Sequence, residues 1–566
     1  YRYHALLQEF LRKKLEQSST PSQLSELHLK CVEGFYALGE FELAIKHVFK
    51  SGDEHRKINL LMETCNHWMK EGGFIQIVKA LDQLSERELY QHTHLAIIYG
   101  YSLIFSRRFN QAQFYLAELK AFHESNAKPS LLDDIAYLEL SLRLLQRDIE
   151  TISKQQVDQL LESAYLSEIR TFSLIIAAYF ELQGGELSEA LSIAHKAKAI
   201  LARKGHVFLE SYSDLMIALC DRYMGRGIEA VNYISSIYSK NQFEKGGLPW
   251  VSLTTAMVVV CYEQNQLKKA QSLCEQLVPF LNHTCVTEVI STVYLSYSRL
   301  LSIQGDKRKA SRLLDQLDRI LILGKYERFS SQTLFESMRQ AYVNRDGVKL
   351  KQLSDLQDLN GMTADHVEIN GRFNEAVERK VLAQSFVLAI NGEFDSAQKL
   401  LSRLTLKLHQ LGLVSRMIIA RCNLIVLEFN KGQKRSAVAQ LKQLLSEYGF
   451  TAFSRNTFDE APGIHQVFDY AEKVSEFMVP HLFKSVFMDL FKVKNEKPIL
   501  FPIMSLTEKE LEVYNLLSEG LSNAEISKET GVALSTTKWH LKNIYQKLGV
   551  ANRAEAIVKK QLVKTD

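Results

Sequence analysis

The chain has 566 residues, 46% of them hydrophobic, and a formal net charge of only +4. That length exceeds one ordinary domain, so several domains or an elongated repeat array must share the core, and so small a charge announces neither a nucleic-acid nor a membrane partner, leaving any basic surface local. Seven cysteines (Cys31, Cys65, Cys220, Cys261, Cys274, Cys285, Cys422) lie mostly in apolar helical stretches without a CxxC pair and read as buried thiols of a reducing compartment.

The pairs His92/His94 and His283/Cys285 lack a second ligand pair at zinc spacing, so no metal is expected. No apolar run approaches the roughly 20 residues that span a bilayer, and the start carries no signal-peptide pattern, which makes the cytoplasm the expected compartment. The sequence begins at Tyr1 and enters an amphipathic helix directly, YRYHALLQEFLRKKLEQSS. A natural N-terminus seldom starts that way, so the chain is expected to be the C-terminal portion of something longer.

Beyond it a short pattern recurs: a helix ends at glycine or a polar residue, and an alanine follows five positions later. The instances are GEFELA (Gly39 to Ala44), RRFNQA (Arg107 to Ala112), GELSEA (Gly185 to Ala190), GRGIEA (Gly225 to Ala230), NQLKKA (Asn265 to Ala270), GDKRKA (Gly305 to Ala310), GEFDSA (Gly392 to Ala397) and GQKRSA (Gly432 to Ala437). Four successive turns, at 185, 225, 265 and 305, are 40 residues apart, the length of a helical-hairpin repeat. Glycine stops the first helix in a left-handed cap, and the small alanine lets the second pack close against it. Weaker turns at Gly73, Gln146 and Asp346 fit the gaps. GRFNEA (Gly371 to Ala376) falls only 21 residues before GEFDSA, too close for another hairpin, and reads as a chance match at a helix start.

Apolar residues between turns follow helical spacing, as at Ala190, Ile193, Ala194 and Ala197, and only 8 prolines occur. The body is therefore expected to be all-α, with about ten hairpins stacked from near residue 26 to near residue 490. The spacing resembles tetratricopeptide-like superhelices, with repeats longer than usual for that family. Such arrays bind partners on a concave surface lined by the first helix of each pair. Trp250, Tyr262, Tyr294, Tyr297 and Arg339 lie on consecutive first helices and are candidates to line that groove, aromatic faces and arginine forks suiting sugars or peptides. The alternative is that they are core residues at helical spacing.

The array fades at Asn495, Glu496, Lys497, Pro498 and Pro502, a linker over 495–504. Residues 505–566 then form a compact module. Thr507 with Glu510, Ser522 with Glu525 and Asn552 with Glu555 have capping-box spacing, and Ser535 is the expected cap of the third helix. Gly520, Gly531 and Gly549 follow the first three helices.

In the third helix Thr537, Leu541, Ile544 and Leu548 share one face. The other carries Ser535, Trp539, Lys542, Asn543 and Gln546, with Lys538 on its flank, Thr536 in the first turn and Lys547 at the edge. Hydrogen-bonding and cationic groups on a helix entered through a short glycine turn suit the major groove. Residues 501–530 are acidic overall, whereas Lys538, Lys542, Lys547, Arg553, Lys559, Lys560 and Lys564 make the rest basic, the side expected to meet phosphate.

The blocks LTEKELEV, GLSNAEIS, STTKWHLKNIYQKLGV and NRAEAI resemble the LuxR-type helix-turn-helix over nearly all of residues 505–563. IYQKLGVA-x-R (Ile544 to Arg553), joined to a long helical-repeat body, resembles the MalT-like activators. That resemblance implies a parent protein with an ATPase module, a winged-helix segment, an inducer-binding superhelix and a DNA-binding module in that order. Residues 1–25 then match the end of the winged segment, 26–494 the superhelical sensor and 505–566 the DNA-binding domain.

No GxxxxGK[ST] loop occurs, so this chain is expected to need no cofactor, and ATP is implied only for the upstream module. Where the family usually has Arg, Ala, Leu and Val or Ile, this sequence has Lys509, Ser527, Thr530 and Thr537, tolerable if the three hydroxyls bond nearby backbone carbonyls. The expected partners are promoter DNA, RNA polymerase, a small-molecule inducer or regulatory protein, and further copies on DNA. A protein-interaction scaffold is the alternative. No motif supports an enzyme.

Overall fold

The computed structural model describes residues 5–123, 129–146, 153–163, 171–240, 243–281, 285–324, 326–491, 506–548, 550 and 552–557. The expected linker at 495–504 lies outside them, as does Gly549. The described residues are all-α: helices follow one another without a strand, and they pair into hairpins from Pro21–Ala37 with Phe41–Ser51 to Val414–Asn430 with Lys434–Tyr448. The first hairpin opens at Pro21, held by a Thr20–Gln23 capping box, a few residues before the expected start of the array.

The turn pattern has one geometric cause. Gly39, Arg107, Gly185, Gly225, Asn265, Gly305, Gly392 and Gly432 all hold positive φ, between 57° and 94°. At each, the N–H of that residue donates to the carbonyl three back, and the next N–H donates to the carbonyl five before it, as in Gly185 to Leu182 and Glu186 to Glu181. This is the Schellman closure, which satisfies carbonyls a helix end leaves open. The alanine in each motif donates to the residue just after the left-handed one and is buried. Of the weaker turns, the left-handed residue is Gly72 rather than Gly73, and Arg345 rather than Asp346, which instead caps the next helix through Lys349 N.

Burial divides the hairpins into two layers. Nearly every residue of Phe172–Gly184 is buried, whereas its partner Leu187–Lys204 buries only Leu187, Ala190, Ile193, Ala194, Ala197 and Leu201. First helices form an inner layer with apolar neighbours on several sides, and second helices lay one stripe against them.

The superhelix is tightly wound. The helix Val207–Tyr223 touches both Glu54–Glu71 and Val414–Asn430. Residues 357–374 form a strap containing two short 3-10 turns instead of another hairpin. Arg372 stacks on the Phe180 ring at 4.0 Å and donates to the Phe180 carbonyl at 2.8 Å, while Phe373 N donates to Gly184 O at 3.0 Å. The GRFNEA segment is thus no hairpin turn: Asn374 caps the helix that follows, and Arg372 and Phe373 tie it to the turn at Gly185.

The regular hairpins stop at Tyr448 rather than near 490. Four short helices follow, Arg455–Glu460, Ile464–Lys473, His481–Val486 and Met488–Phe491. They enclose a cluster of phenylalanines in which the rings of Phe458, Phe468 and Phe483 pack tilted, with centroids within 6.0 Å of one another. An array needs an atypical end to cover its last apolar face.

Candidate nucleic-acid interface and sensor cavity

The C-terminal module is built from capped helices. Thr507 and Ser522 accept from Glu510 N and Glu525 N, and both glutamates reach back to the cap N–H. Asn552 and Glu555 bond reciprocally at 2.8 and 2.9 Å. Leu506, Val513, Tyr514, Leu517, Ile526, Leu541, Ile544, Leu548 and Ala556 form the core, and the Tyr514 hydroxyl donates to Ala556 O at 2.9 Å.

The three departures in this core are satisfied as required. Ser527 Oγ donates to Val532 O at 2.7 Å, Thr530 Oγ1 to Ile526 O at 2.6 Å and Thr537 Oγ1 to Ala533 O at 3.3 Å. Lys509 Nζ donates to Thr530 O at 3.0 Å, tying the first helix to the end of the second.

The third helix is Leu534–Leu548, two residues longer at its start than the cap at Ser535 implies. Thr537 N donates to Ala533 O, so Ala533 occupies the cap position and Ser535 lies in the first turn. Gly531, at φ 66°, makes the turn into it. Thr537, Leu541, Ile544 and Leu548 are buried, whereas Ser535, Thr536, Lys538, Trp539 and Lys542 are exposed and Asn543 is half-buried. Trp539 is 58% exposed. The side chains of Gln546 and Lys547 lie outside the described residues, as do Lys559, Lys560 and Lys564. Arg553 is turned inward, donating to Leu521 O and, at 3.3 Å, to Asn523 Oδ1, so it braces the module rather than offering a free cation.

The interior of the superhelix holds two adjoining cavities. One, of about 260 Å³, is walled mainly by Ile104, Phe172, Ile176, Met216, Val260 and Phe329. The other, of about 210 Å³, is polar and shares Arg222, Glu263 and Glu288 with the first.

Around the polar cavity runs a buried charge lattice. Arg299 bonds Glu336 at 2.8 Å and Glu460 at 3.0 Å, Arg339 bonds Glu336 at 2.6 Å, and Arg379 bonds Glu460 at 2.7 Å. Arg416 bonds Glu375 at 2.8 Å and also Glu378, while Arg328 bonds Glu375 at 3.0 Å and Glu288 at 2.5 Å. Burial pushes the Glu460 carboxyl up, but Arg379 and Arg299 outweigh it and hold the group at about 2. Glu375, facing Arg416, Arg328 and Arg379, is likewise held well below the usual range.

The five candidate groove residues are not gathered in one place. Arg339 is buried in this lattice, and Tyr262, buried too, donates to Asp459 and borders the polar cavity. Trp250 packs edge-on to Phe280 with centroids 5.5 Å apart, Tyr294 is half-buried against the core, and Tyr297 meets Glu275 at 3.5 Å. Those three border neither cavity.

The sequence reading missed the apolar cavity, whose walls come from helices between residues 104 and 329. Its one sequence signal is Arg107, a charged residue at a turn position filled elsewhere in the pattern by glycine or asparagine. All seven cysteines are free, six of them buried. Burial pushes the Cys65, Cys220 and Cys274 thiols up to about 12. Among the described residues no helix is long and apolar enough to cross a membrane.

Residues 504–559 match the family described as bacterial regulatory proteins, luxR family. Along 99% of its length the chain is 23% identical to the HTH-type transcriptional regulator MalT of Vibrio campbellii, and over 98% it is 23% identical to that of Vibrio cholerae. The Yersinia pestis protein of the same name matches 99% of the chain at 23% identity. The chain spans 64% of the length of these relatives. A solved structure of Rap protein complexed with competence and sporulation factor is similar at TM-score 0.43 and 13% identity, covering 68% of this chain and 99% of that one. The chain therefore carries a LuxR-family helix-turn-helix domain at its C-terminal end and is, along nearly all its length, a homologue of the MalT-like regulators.

Proposed function

We propose that the chain is the sensing and DNA-binding portion of a transcriptional regulator, acting as an activator in the cytoplasm. The third helix of the C-terminal module enters the major groove of promoter DNA. Ser535, Thr536, Lys538, Trp539, Lys542, Asn543 and Gln546 face the bases and Lys547 a phosphate. Copies associate on adjacent half-sites through the C-terminal segment 552–562, of which 558–562 lie outside the described residues, and recruit RNA polymerase. ATP, which the resemblance to MalT-like regulators implies, would be bound by a module upstream of these residues in a longer protein.

The observation that carries the reading is the exposed face from Ser535 to Lys542 on a helix whose opposite face is buried. Selection from a pool of random duplexes tests it. A shared motif is expected to be enriched by the chain and lost with Lys542→Ala, and enrichment of no motif overturns the reading.

The helical array is the sensor. The apolar cavity favours a small ligand over a regulatory protein, because its walls lie mainly on inner helices and between the two layers rather than on an outer face. Calorimetry with small molecules, set against pull-down of a purified partner, separates the two.

A further inference from the structure

The walls of the apolar cavity restrict what it can hold. Its volume of about 260 Å³ is more than an order of magnitude above the ~10–15 Å³ that one water needs. A neutral sugar would lose hydrogen bonds to water at each hydroxyl laid against Ile104, Phe172, Ile176, Met216 and Phe329, about 1–3 kcal/mol each on protein scales. An alkyl chain or aromatic ring loses nothing there.

Charge then singles out one end. Four charged residues line the cavity: Arg107, Arg222, Glu263 and Glu288. Arg222 and Glu263 pair with each other at 2.5 Å, and Glu288 pairs with Arg328 at 2.5 Å. Among the described residues no carboxylate lies within ion-pair distance of Arg107. Its Nη1 instead donates to the Tyr326 hydroxyl at 3.1 Å, and its charge reaches the half-buried Tyr212 phenol, which also lines the cavity. A half-buried guanidinium with no carboxylate partner among the described residues gains most from an anion that brings its own apolar body.

Building on the sensor role proposed above, we infer that the cavity binds a small amphipathic anion, an apolar chain or ring with one carboxylate, whose head is held by Arg107 and Tyr326 and whose body fills the space between Phe172, Met216 and Phe329. Arg107 sits in the turn after the helix Thr93–Phe105, and Tyr326 directly precedes the helix Glu327–Val343, 219 residues further on. An anion bridging the two joins distant parts of the winding, which gives the ligand a means to favour one winding over another.

Calorimetry on the full chain tests this with octanoate, octanol and the neutral trisaccharide raffinose. Octanoate is expected to bind, Arg107→Gln to weaken it by about tenfold or more, and Arg107→Lys to restore part of the loss. Octanol is expected to bind weakly and to be unchanged by Arg107→Gln. Ala256→Phe, which fills the cavity from its wall, is expected to remove both ligands, each variant being checked for an unaltered helical circular-dichroism spectrum. Octanoate that fails to bind, or binds equally to Arg107→Gln and Ala256→Phe, overturns the assignment, as does raffinose binding that Ala256→Phe abolishes. DNA affinity, read on a duplex selected by the chain, separates the two levels. Octanoate binding through Arg107 without change in DNA affinity supports the cavity assignment and removes the sensor role. DNA affinity that responds to raffinose while octanoate stays unbound overturns the assignment and keeps the sensor.

Discussion

Arg553 shows how a residue's class can mislead and its partners decide. As one cation among several in a basic stretch it reads as a phosphate contact, yet its guanidinium closes the carbonyl of Leu521 and meets Asn523. Arg553→Ala is accordingly expected to destabilise the C-terminal module by about 1–3 kcal/mol, because it strands carbonyls at a helix end. The salt dependence of DNA binding should stay as it was. Thermal melting followed by a salt series checks both halves, and a shallower salt slope with unaltered melting would contradict the bracing role. Tyr262 and Arg339 illustrate the same point: aromatic and arginine residues at helical spacing looked fit for a groove, but their partners Asp459 and Glu336 hold them inside.

At the scale of elements, the hairpin turns were legible because their cause is local. A left-handed residue, two Schellman bonds and a small alanine all lie within ten residues, so sequence alone locates them, even where Arg107 or Asn265 replaces glycine. The strap at 357–374, the Phe-rich end and the offset at Gly72 were not legible, since nothing periodic marks them. Two glycines separate conformation from packing. Gly305 holds φ 89° with open space around a would-be Cβ, whereas at Gly225, with φ 84°, that atom would meet Val414 Cγ1 at 2.8 Å. Gly305→Ala is expected to cost about 1–2 kcal/mol, the price of the left-handed backbone alone. Gly225→Ala should cost more and disturb the contact between the helices Val207–Tyr223 and Val414–Asn430. Chemical denaturation of both variants measures the difference, and equal losses would contradict the close approach at Gly225.

For the whole molecule, closure of the superhelix rests on charged and polar pairs far apart in sequence, such as Arg299 with Glu460 and Arg416 with Tyr223, which no repeat pattern predicts. The apolar cavity was hidden for the same reason. Buried titratable groups, inside the lattice and outside it, make stability depend on acid. Burial drives His206 down to about 4 from its ordinary 6.5, with Lys70 and Lys204 adding to the shift, so the folded chain binds fewer protons than the unfolded one and stability falls as pH drops from 6.5 to about 4. Glu460, held at about 2 against an ordinary 4.5, contributes stability that is present above 4.5 and lost as pH falls towards 2. The melting temperature should decline through both windows, and His206→Gln should make the upper decline shallower, the remainder coming from His465, which burial also drives down to about 4. A melting temperature level between pH 6.5 and 4 would contradict the buried neutral histidine.

The array and the module belong to one account only if the exposed face of the third helix reads DNA, so the decisive measurement is fluorescence anisotropy of the full chain and of Lys542→Ala on a selected duplex and its scrambled counterpart across a salt series. Lys542 is exposed near the middle of that face, where it can donate to guanine O6 or N7. The variant is predicted to lose about 1–3 kcal/mol on the selected duplex and much less on the scrambled one. Equal losses on both duplexes, or no loss on either, would contradict the assignment of this face to base readout.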